Sequence, residues 1–459
     1  MSAILRSQPR PEDFSHPASE TPYHKGLRKF FGIEQRGSTV RRELLAGATT
    51  FVTAAYLAVV IPNILSSGGV NSGAATTATI LIFVASTLFM ACYARLPFVV
   101  GPGLGGAALV ATTLATAEGV PWQTGIGIAF WSGILFLVLT LFGLREVVVR
   151  VVPASIKVAL SASLGVFIIT LGFRNAGLIV ANVRTNAYGL GNFTAPGAII
   201  ALCGLLIAIA LHIHKVNGGI LLAILASTLI GIPLQVTKLP ASFVGLPHSI
   251  APVLLQLNFL DALRPAFFPY LFAFFAAEFF STMGTTLAVA GEAGLLDERG
   301  NMPGINGPFV VDSVMASIGP LFGVPSATAL IESAAGVEAG GRTGLTSVTT
   351  ATLFGLLLLF SPILLMIPKE ATSPALMMVG LAMFANLRKI DFEQFTEAAP
   401  ALFTVLMTLY ANNFGTGIAA GILSYVIVQL LAGKLQRIPP GLALLSIPLL
   451  YFFWTLVHK

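Results

Sequence analysis

Long apolar runs follow one another along almost the whole chain, and short polar segments separate them. A helix needs about 20 mostly apolar residues to cross the hydrocarbon core of a bilayer. The pattern predicts an all-α polytopic membrane protein with fourteen spans, near residues 45–66, 75–94, 96–117, 121–143, 153–173, 194–214, 218–236, 266–290, 307–323, 325–340, 344–367, 373–386, 398–413 and 415–433. A further apolar stretch covers 441–457, and its length alone does not decide whether it crosses the bilayer.

Composition excludes several classes of protein. Hydrophobic residues make up 56% of the 459 residues and charged residues only 10%, whereas soluble domains carry roughly 25% charged residues. So few charges cannot cover a water-facing surface, which excludes a soluble enzyme, a disordered chain and a nucleic-acid-binding domain. Cys92 and Cys203 both lie inside apolar runs, which indicates buried thiols rather than a disulfide or a metal site. We therefore expect no metal, no cofactor and no catalytic residue.

The positions of lysine and arginine predict the orientation of the spans. Residues 1–43 are polar and have no apolar core, which is typical of a cytoplasmic tail and not of a cleavable signal peptide. With the N-terminus inside, the inside segments hold Lys25, Arg28, Lys29, Arg36, Arg41, Arg42, Arg95, Arg145, Arg150, Lys215, Arg299, Arg342, Arg388, Lys389, Lys434 and Arg437. The outside loops hold only Arg174, Arg184, Lys238, Arg264 and Lys369. Because positively charged loops resist translocation, we expect a multi-pass protein of the plasma (inner) membrane with a cytoplasmic N-terminus.

The two halves of the chain share a weak internal repeat. Residues 96–106 read LPFVVGPGLGG and residues 323–336 read GVPSATALIESAAG, so each begins with an extended, proline-containing stretch and continues into a small-residue helix start. Residues 152–155 (VPAS) and 373–376 (SPAL) likewise open two similar apolar runs. The copies lie seven spans apart, and an odd offset inverts the second copy in the membrane. Inverted repeats with paired Gly/Pro-interrupted segments are typical of secondary transporters; chance similarity of Ala-, Gly- and Leu-rich runs is the alternative.

The interrupted segments are the predicted binding region. Backbone that is not helical at membrane depth is tolerated only inside the protein or beside a wet cavity. In residues 101–106 the glycines allow a ligand to approach closely, and the following helix offers free N–H groups and the positive end of its dipole. The same holds for residues 328–336. Tight packing of small residues is the alternative for each segment.

Acidic residues within predicted spans are candidates for function. Glu278 and Glu332 each interrupt an apolar run, and a charge at the bilayer centre costs about 2.5–3.5 kcal/mol or more. A carboxyl group in a desolvated pocket can exchange a proton near neutral pH and can accept hydrogen bonds from a ring N–H. A structural hydrogen bond is the alternative for both acids, and it is the favoured interpretation for Asp312. Lys157 is expected to snorkel to the cytoplasmic surface.

Four stretches carry a resemblance to a known family: residues 30–70, 101–108, 292–303 (EAGLLDERGNMP) and 322–346 (FGVPSATALIESAAGVEAGGRTGLT). The sequence resembles the azaguanine-type purine permeases, a branch of the nucleobase–cation symporter (nucleobase–ascorbate transporter) superfamily. The resemblance runs from about residue 28 to the C-terminus, and its IESAAG…GGRTGLT block is the most specific part.

The resemblance implies an architecture of two inverted seven-span repeats with short strands in spans 3 and 10. After the tail at 1–43, it assigns 44–143 and 265–368 to a core domain, and 144–264 and 369–459 to a gate domain that includes the C-terminus. It also implies a homodimer, and a substrate held between the strand segments and span 8. Glu332 matches the substrate-binding acid of span 10 in that family.

Two positions depart from the family pattern. The family usually has Asp-Thr-x-Gly in span 8, where this chain has Ser281-Thr282-Met283-Gly284. The family also usually has an asparagine in span 3 where this chain has Ala107. Glu278 lies one helical turn before Ser281 and could replace the missing acid. Because a site built for one set of polar groups rejects ligands that lack them, the substrate need not be adenine, guanine or hypoxanthine.

These observations together predict proton-coupled uptake of a nucleobase, with a purine-like base as the favoured substrate. Transport would occur by an elevator or rocking movement of core against gate. Glu332 and Glu278 would couple substrate to protons. The remaining predicted substrate-site residues are Ser281, Thr282, Gly103, Gly105, Gly106, Ala107, Thr328 and Ser333. The alternatives are another small planar N-heterocycle as substrate, an anion transporter or channel of the same architecture, a membrane enzyme, and a transporter-derived sensor. The acidic midplane disfavours anions, and the chain has no His/Cys cluster for an enzyme.

Overall fold

The computed structural model describes residues 22–144, 151–182, 187–297, 302–411 and 413–457. Each predicted span has a helical counterpart there. Within these ranges, eight helical segments are long and apolar enough to cross a membrane, and four further apolar helices are shorter. Residues 1–21 of the predicted tail lie outside the described residues, as do Arg145, Arg150, Arg184 and Arg299.

The first half contains nine helices and three strands among the described residues. They are α1 (Pro22–Phe31), α2 (Val40–Ala54), α3 (Leu57–Ser67), α4 (Ser72–Phe89), β1 (Val100–Pro102), α5 (Leu104–Ala108), α6 (Trp122–Leu141), α7 (Ala154–Asn175), β2 (Ile179–Asn182), β3 (Ala187–Leu190), α8 (Pro196–Ile213) and α9 (Gly219–Gly231). Wider π-helical turns extend α4 to Ala94 and α5 to Ala117. Strands β2 and β3 form a hairpin.

The second half repeats this order with small changes. Its elements are α10 (Phe268–Glu292), α11 (Asn306–Leu321), β4 (Ala327–Ala329), α12 (Ser333–Glu338), α13 (Gly344–Leu357), α14 (Ser361–Met366), α15 (Lys369–Phe384), α16 (Phe395–Tyr410), α17 (Phe414–Leu431) and α18 (Pro440–Val457). Short 3₁₀ turns cover Asp261–Leu263, Pro265–Phe267, Leu358–Phe360, Ala385–Lys389 and Leu435–Arg437. The apolar stretch at 441–457 is thus helical.

Polar residues fix where several helices begin. The side chain of Asn71 accepts a hydrogen bond from the N–H of Ala74 at 2.9 Å, and the side chain of Asn413 accepts one from Thr416 at 3.2 Å. Such caps satisfy backbone donors that have no partner inside the helix. They let short polar loops end one span and start the next.

The two interrupted segments meet in the centre of the molecule. Strand β1 pairs with β4 in antiparallel register, with Gly101 opposite Thr328. The outward edge of β1 is satisfied by α4, because Ser86 and Thr87 donate to the carbonyl oxygen of Val100 at 2.6 and 3.0 Å. Both strands are thus buried in protein, as a membrane requires of non-helical backbone. The predicted short strands in spans 3 and 10 are confirmed.

Helix contacts show the inverted repeat directly. Helix α4 packs on α13, and its repeat counterpart α11 packs on α6. Helix α8 packs on α15, and its counterpart α16 packs on α7. Each contact therefore recurs with the roles of the two halves exchanged, which is what a pseudo-twofold axis in the membrane plane produces.

Two glycines mark that axis where α7 crosses α15. A Cβ built on Gly165 would lie 2.6 Å from the carbonyl oxygen of Gly380, and a Cβ on Gly380 would lie 2.6 Å from that of Gly165. The same contact corrects the predicted pairing of residues 152–155 with 373–376. Pro153 and Pro368 are the equivalent helix starts, since both precede the first helical residue, whereas Pro374 lies inside α15.

We expect Gly165→Val to lower the thermal unfolding temperature of the detergent-solubilised protein. The added side chain would overlap backbone atoms of α15, so the helices must separate, and overpacking typically costs about 1–3 kcal/mol. Gly284→Val is the matched control, because a Cβ at this helical glycine meets no atom within 4 Å. Equal unfolding temperatures for both variants, measured by heating and size-exclusion chromatography, would contradict the close crossing.

Candidate functional site

Glu332 lies where β4 gives way to α12. Its carboxylate Oε1 accepts a hydrogen bond of 2.7 Å from the hydroxyl of Tyr56, and its carbonyl oxygen accepts one of 3.3 Å from Thr53. Tyr56 sits in the break between α2 and α3 and is only 1% exposed. Glu332 itself is half-buried. The break in span 1 thus holds one oxygen of the carboxylate in place, while the residue as a whole stays partly exposed.

A second acidic centre lies on α10 and α11. Glu278 is 6% exposed and Asp312 is fully buried, and the two carboxyl groups are close enough to interact electrostatically. Oδ2 of Asp312 accepts hydrogen bonds from the Thr282 hydroxyl and from the N–H of Ala329, both at 2.8 Å. Oδ1 of Asp312 and Oε2 of Glu278 have no hydrogen-bond partner among the described residues. Asp312 therefore joins α10, α11 and β4 through Oδ2, and its Oδ1 remains available for a further hydrogen bond.

Gly106 gives the second acidic centre its space. A Cβ at this position would lie 2.9 Å from Cβ of Pro325 and 3.6 Å from Oε1 of Glu278. Any larger residue would press on the turn before β4. The interrupted segment of span 3 therefore approaches the acid of span 8 closely because it carries glycine.

The C-terminal half of α10 exposes a row of small residues. Ser281, Gly284 and Ala288 are exposed, and we call them the α10 stripe. The N-terminal half of the same helix is buried almost throughout. A Cβ on Gly103, at the start of α5, meets no atom within 4 Å. Ser281 is thus exposed and Gly103 borders open space, and their place in the site stays a prediction.

Four predicted residues lie inside the protein instead. Gly105 packs against the side chain of Leu164 on α7, and Ala107 is fully buried in α5. Thr328 is buried in β4. The hydroxyl of Ser333 accepts from the N–H of Val99 at 3.0 Å and donates to Leu330 at 2.6 Å. Ser333 therefore joins β1 to α12, and its donor is used within the fold.

Sequence reasoning missed Tyr56 and underrated Asp312. A tyrosine hydroxyl in the middle of an apolar span needs a hydrogen-bond partner, and this signal is present in the run AAYLAVV. Oδ2 of Asp312 makes a structural hydrogen bond to the N–H of Ala329 in β4. Oδ1 of Asp312 has no hydrogen-bond partner among the described residues.

An open groove of about 730 Å³ lies elsewhere, at the N-terminal end of α6. Its lining residues are Pro121, Gln123, Thr124, Gln256, Leu257, Asn258, Phe259, Leu260 and Asp261. Asp261 is already engaged there, because it accepts from Thr124 at 2.8 Å and pairs with Arg264 at 2.7 Å. The groove contains neither Glu278 nor Glu332, so it is not the candidate site.

Comparison with known proteins agrees with this architecture. A family model described as "Permease family" matches residues 41–410. Adenine permease AdeP of Escherichia coli strain K12 is 33% identical, over 92% of this chain and 94% of that protein. Guanine/hypoxanthine permease PbuO of Bacillus subtilis strain 168 is 34% identical, over 89% of this chain and 96% of that protein.

A solved structure shows the same fold at low sequence identity. The transmembrane domain of the cyanobacterial bicarbonate transporter BicA superposes with a TM-score of 0.61 at 17% identity, covering 83% of this chain and 97% of that chain. At that identity the likeness concerns the fold alone. From the family match and the full-length relatives together, this chain belongs to the permease family, in the branch that holds these adenine and guanine/hypoxanthine permeases, and it is a multi-pass membrane transporter rather than an enzyme.

Proposed function

We propose that this protein imports a nucleobase together with protons across the plasma (inner) membrane, with its N-terminus in the cytoplasm. A purine-like base is the favoured substrate. The names of its full-length relatives, an adenine permease and a guanine/hypoxanthine permease, support the substrate class. The homodimer implied by the family resemblance belongs to the same proposal.

The observation that carries the proposal is the half-buried carboxylate of Glu332 beside the paired strands. A purine presents ring N–H donors on one edge and ring nitrogen acceptors on another. Glu332 is held by Tyr56 through Oε1, so the group can accept from a ring N–H without first being ordered. The first N–H groups of α5, after Gly103, have no side-chain cap and can donate to ring acceptors.

Proton coupling is assigned to the second acidic centre. Two carboxyl groups in a low-dielectric site cannot both carry a charge at low cost. Glu278 and Asp312 each have one oxygen without a partner among the described residues. The pair therefore has its lowest electrostatic free energy when it carries one proton. Binding or loss of that proton would change the charge next to Gly106, close to the backbone N–H groups of α5 that would bind the substrate.

Transport would follow from movement of the core (44–143 and 265–368) against the gate (144–264 and 369–459). The acids Glu332, Glu278 and Asp312 all lie on the core side of that division. Substrate and proton would therefore travel with one body while the gate stays in place.

Uptake measurements test the proposal against an anion carrier of the same fold. Cells that express the protein are given radiolabelled adenine, guanine, hypoxanthine, xanthine, uracil, bicarbonate or sulfate, with and without a proton uncoupler. We expect saturable uptake of at least one purine, and loss of its accumulation when the uncoupler is added. Uptake of an anion with no uptake of any base would overturn the proposal.

A further inference from the structure

The outer ends of three spans are joined by one hydrogen-bonded cluster. The Tyr270 hydroxyl donates to Oε1 of Glu118 at 3.2 Å. The side-chain amide of Asn413 donates to the same Oε1 at 3.0 Å and to the Tyr270 hydroxyl at 2.9 Å. Tyr270 and Asn413 are each only 3% exposed. We call Glu118, Tyr270 and Asn413 the outer triad.

The outer triad connects parts of the chain that the proposed transport cycle moves apart. Glu118 ends span 3 and Tyr270 begins α10, both in the core, whereas Asn413 caps α17 in the gate. Apolar contacts seal the same junction. A Cβ on Gly415 would lie 2.9 Å from the Tyr270 ring, and the Phe452 ring of α18 meets that ring edge-on at 5.9 Å.

The opposite end of α10 is open. The α10 stripe of Ser281, Gly284 and Ala288 is exposed there, and Gly284 has open space beside it. Large apolar side chains are exposed elsewhere on the spans, as at Leu206, Leu229 and Leu431 with 67%, 63% and 84% exposure. The α10 stripe instead combines a serine hydroxyl with a glycine that has open space beside it, which suits a water-filled passage between core and gate.

We propose that the outer triad is a latch that holds core and gate together at this end of the molecule and so stabilises the arrangement in which the α10 stripe is exposed, which the predicted orientation makes the inward-facing state. Outward opening must break two hydrogen bonds to Asn413 and withdraw Gly415 from the Tyr270 ring. Weakening the latch shifts the population toward the outward-facing state, because only the closed outer end contains these contacts. This inference rests on the proposed movement of core against gate, and it needs no particular substrate.

Thiol labelling measures the position of this equilibrium. The reporter is Ser281→Cys in a Cys92→Ala, Cys203→Ala background, labelled by a membrane-impermeant maleimide from outside intact cells or from inside inverted vesicles. Tyr270→Phe removes the hydroxyl of the triad, and Asn413→Ala removes its amide. Asn71→Ala is the matched control, because Asn71 caps α4 in the same way without bonding across the junction.

We expect Tyr270→Phe and Asn413→Ala each to raise the outside labelling rate at least threefold and to lower the inside rate, with Asn71→Ala at the rate of the reporter alone. Unchanged rates in both triad variants would overturn the latch. If Asn413→Ala fails to elute as a folded protein, Tyr270→Phe and Glu118→Gln decide the question. A chain that transports no base but shows the labelling shift would refute the proposed substrate and keep the latch.

Discussion

Replacing Glu332 with glutamine should lower the affinity for the transported base by about 10- to 100-fold, and uptake at low concentration should fall accordingly. A hydrogen bond to a charged group is worth about 1.5–3 kcal/mol, and each 1.4 kcal/mol is a factor of ten in affinity. Glutamine keeps the shape of glutamate, and its carbonyl oxygen can still accept from Tyr56. The variant therefore folds around the same contact but offers the substrate an uncharged partner. Binding of radiolabelled base to purified protein measures the change.

The control for this variant lies on the same short helix. Glu338 is exposed at the end of α12, so Glu338→Gln removes one negative charge without touching the site, and wild-type affinity is expected. Tyr56→Phe should give an intermediate loss, since it frees the carboxylate but does not remove it. Wild-type affinity of Glu332→Gln at normal expression would remove Glu332 from the substrate site.

Much of the fold follows from the apolar pattern because the bilayer imposes one strong constraint on every span. The extended segments were also predictable, since proline and glycine at membrane depth cannot continue a helix and must be enclosed by protein. Register was not predictable in the same way. In the sequence, Pro374 looks like the repeat counterpart of Pro153. The contact between Gly165 and Gly380 shows that Pro368 is that counterpart instead.

The site was predictable only in its acids. A carboxyl group in an apolar run is visible because its burial is costly, so Glu332 and Glu278 stand out. Their partners do not, because Tyr56 lies 276 positions away from Glu332 and reaches it only through the break in span 1. Asp312 shows a further limit. One of its oxygens accepts a hydrogen bond from strand β4, and the other has no hydrogen-bond partner among the described residues. The same residue therefore fits both a structural and a functional interpretation.

Replacing Glu278 with glutamine should separate transport from its proton dependence. The glutamine side chain resembles a permanently protonated carboxyl group and carries no charge toward the neighbouring Asp312. One coupled proton changes the accumulation of substrate by up to about tenfold for each unit of pH difference across the membrane, because one pH unit corresponds to 1.36 kcal/mol. We expect this dependence to disappear, with accumulation close to the equilibrium level, while exchange of labelled for unlabelled base continues.

Proteoliposomes with a set pH difference provide the measurement, since uptake and exchange can be followed in one preparation. Glu292→Gln is the matched control, because Glu292 is an exposed acid at the C-terminal end of the same helix, and it should keep the pH dependence of the wild type. Loss of both uptake and exchange in Glu278→Gln would make Glu278 a substrate-binding residue. Unchanged pH dependence would leave Asp312 as the proton carrier, which Asp312→Asn tests in the same assay, with Thr282 and Ala329 as the contacts that an asparagine oxygen can retain.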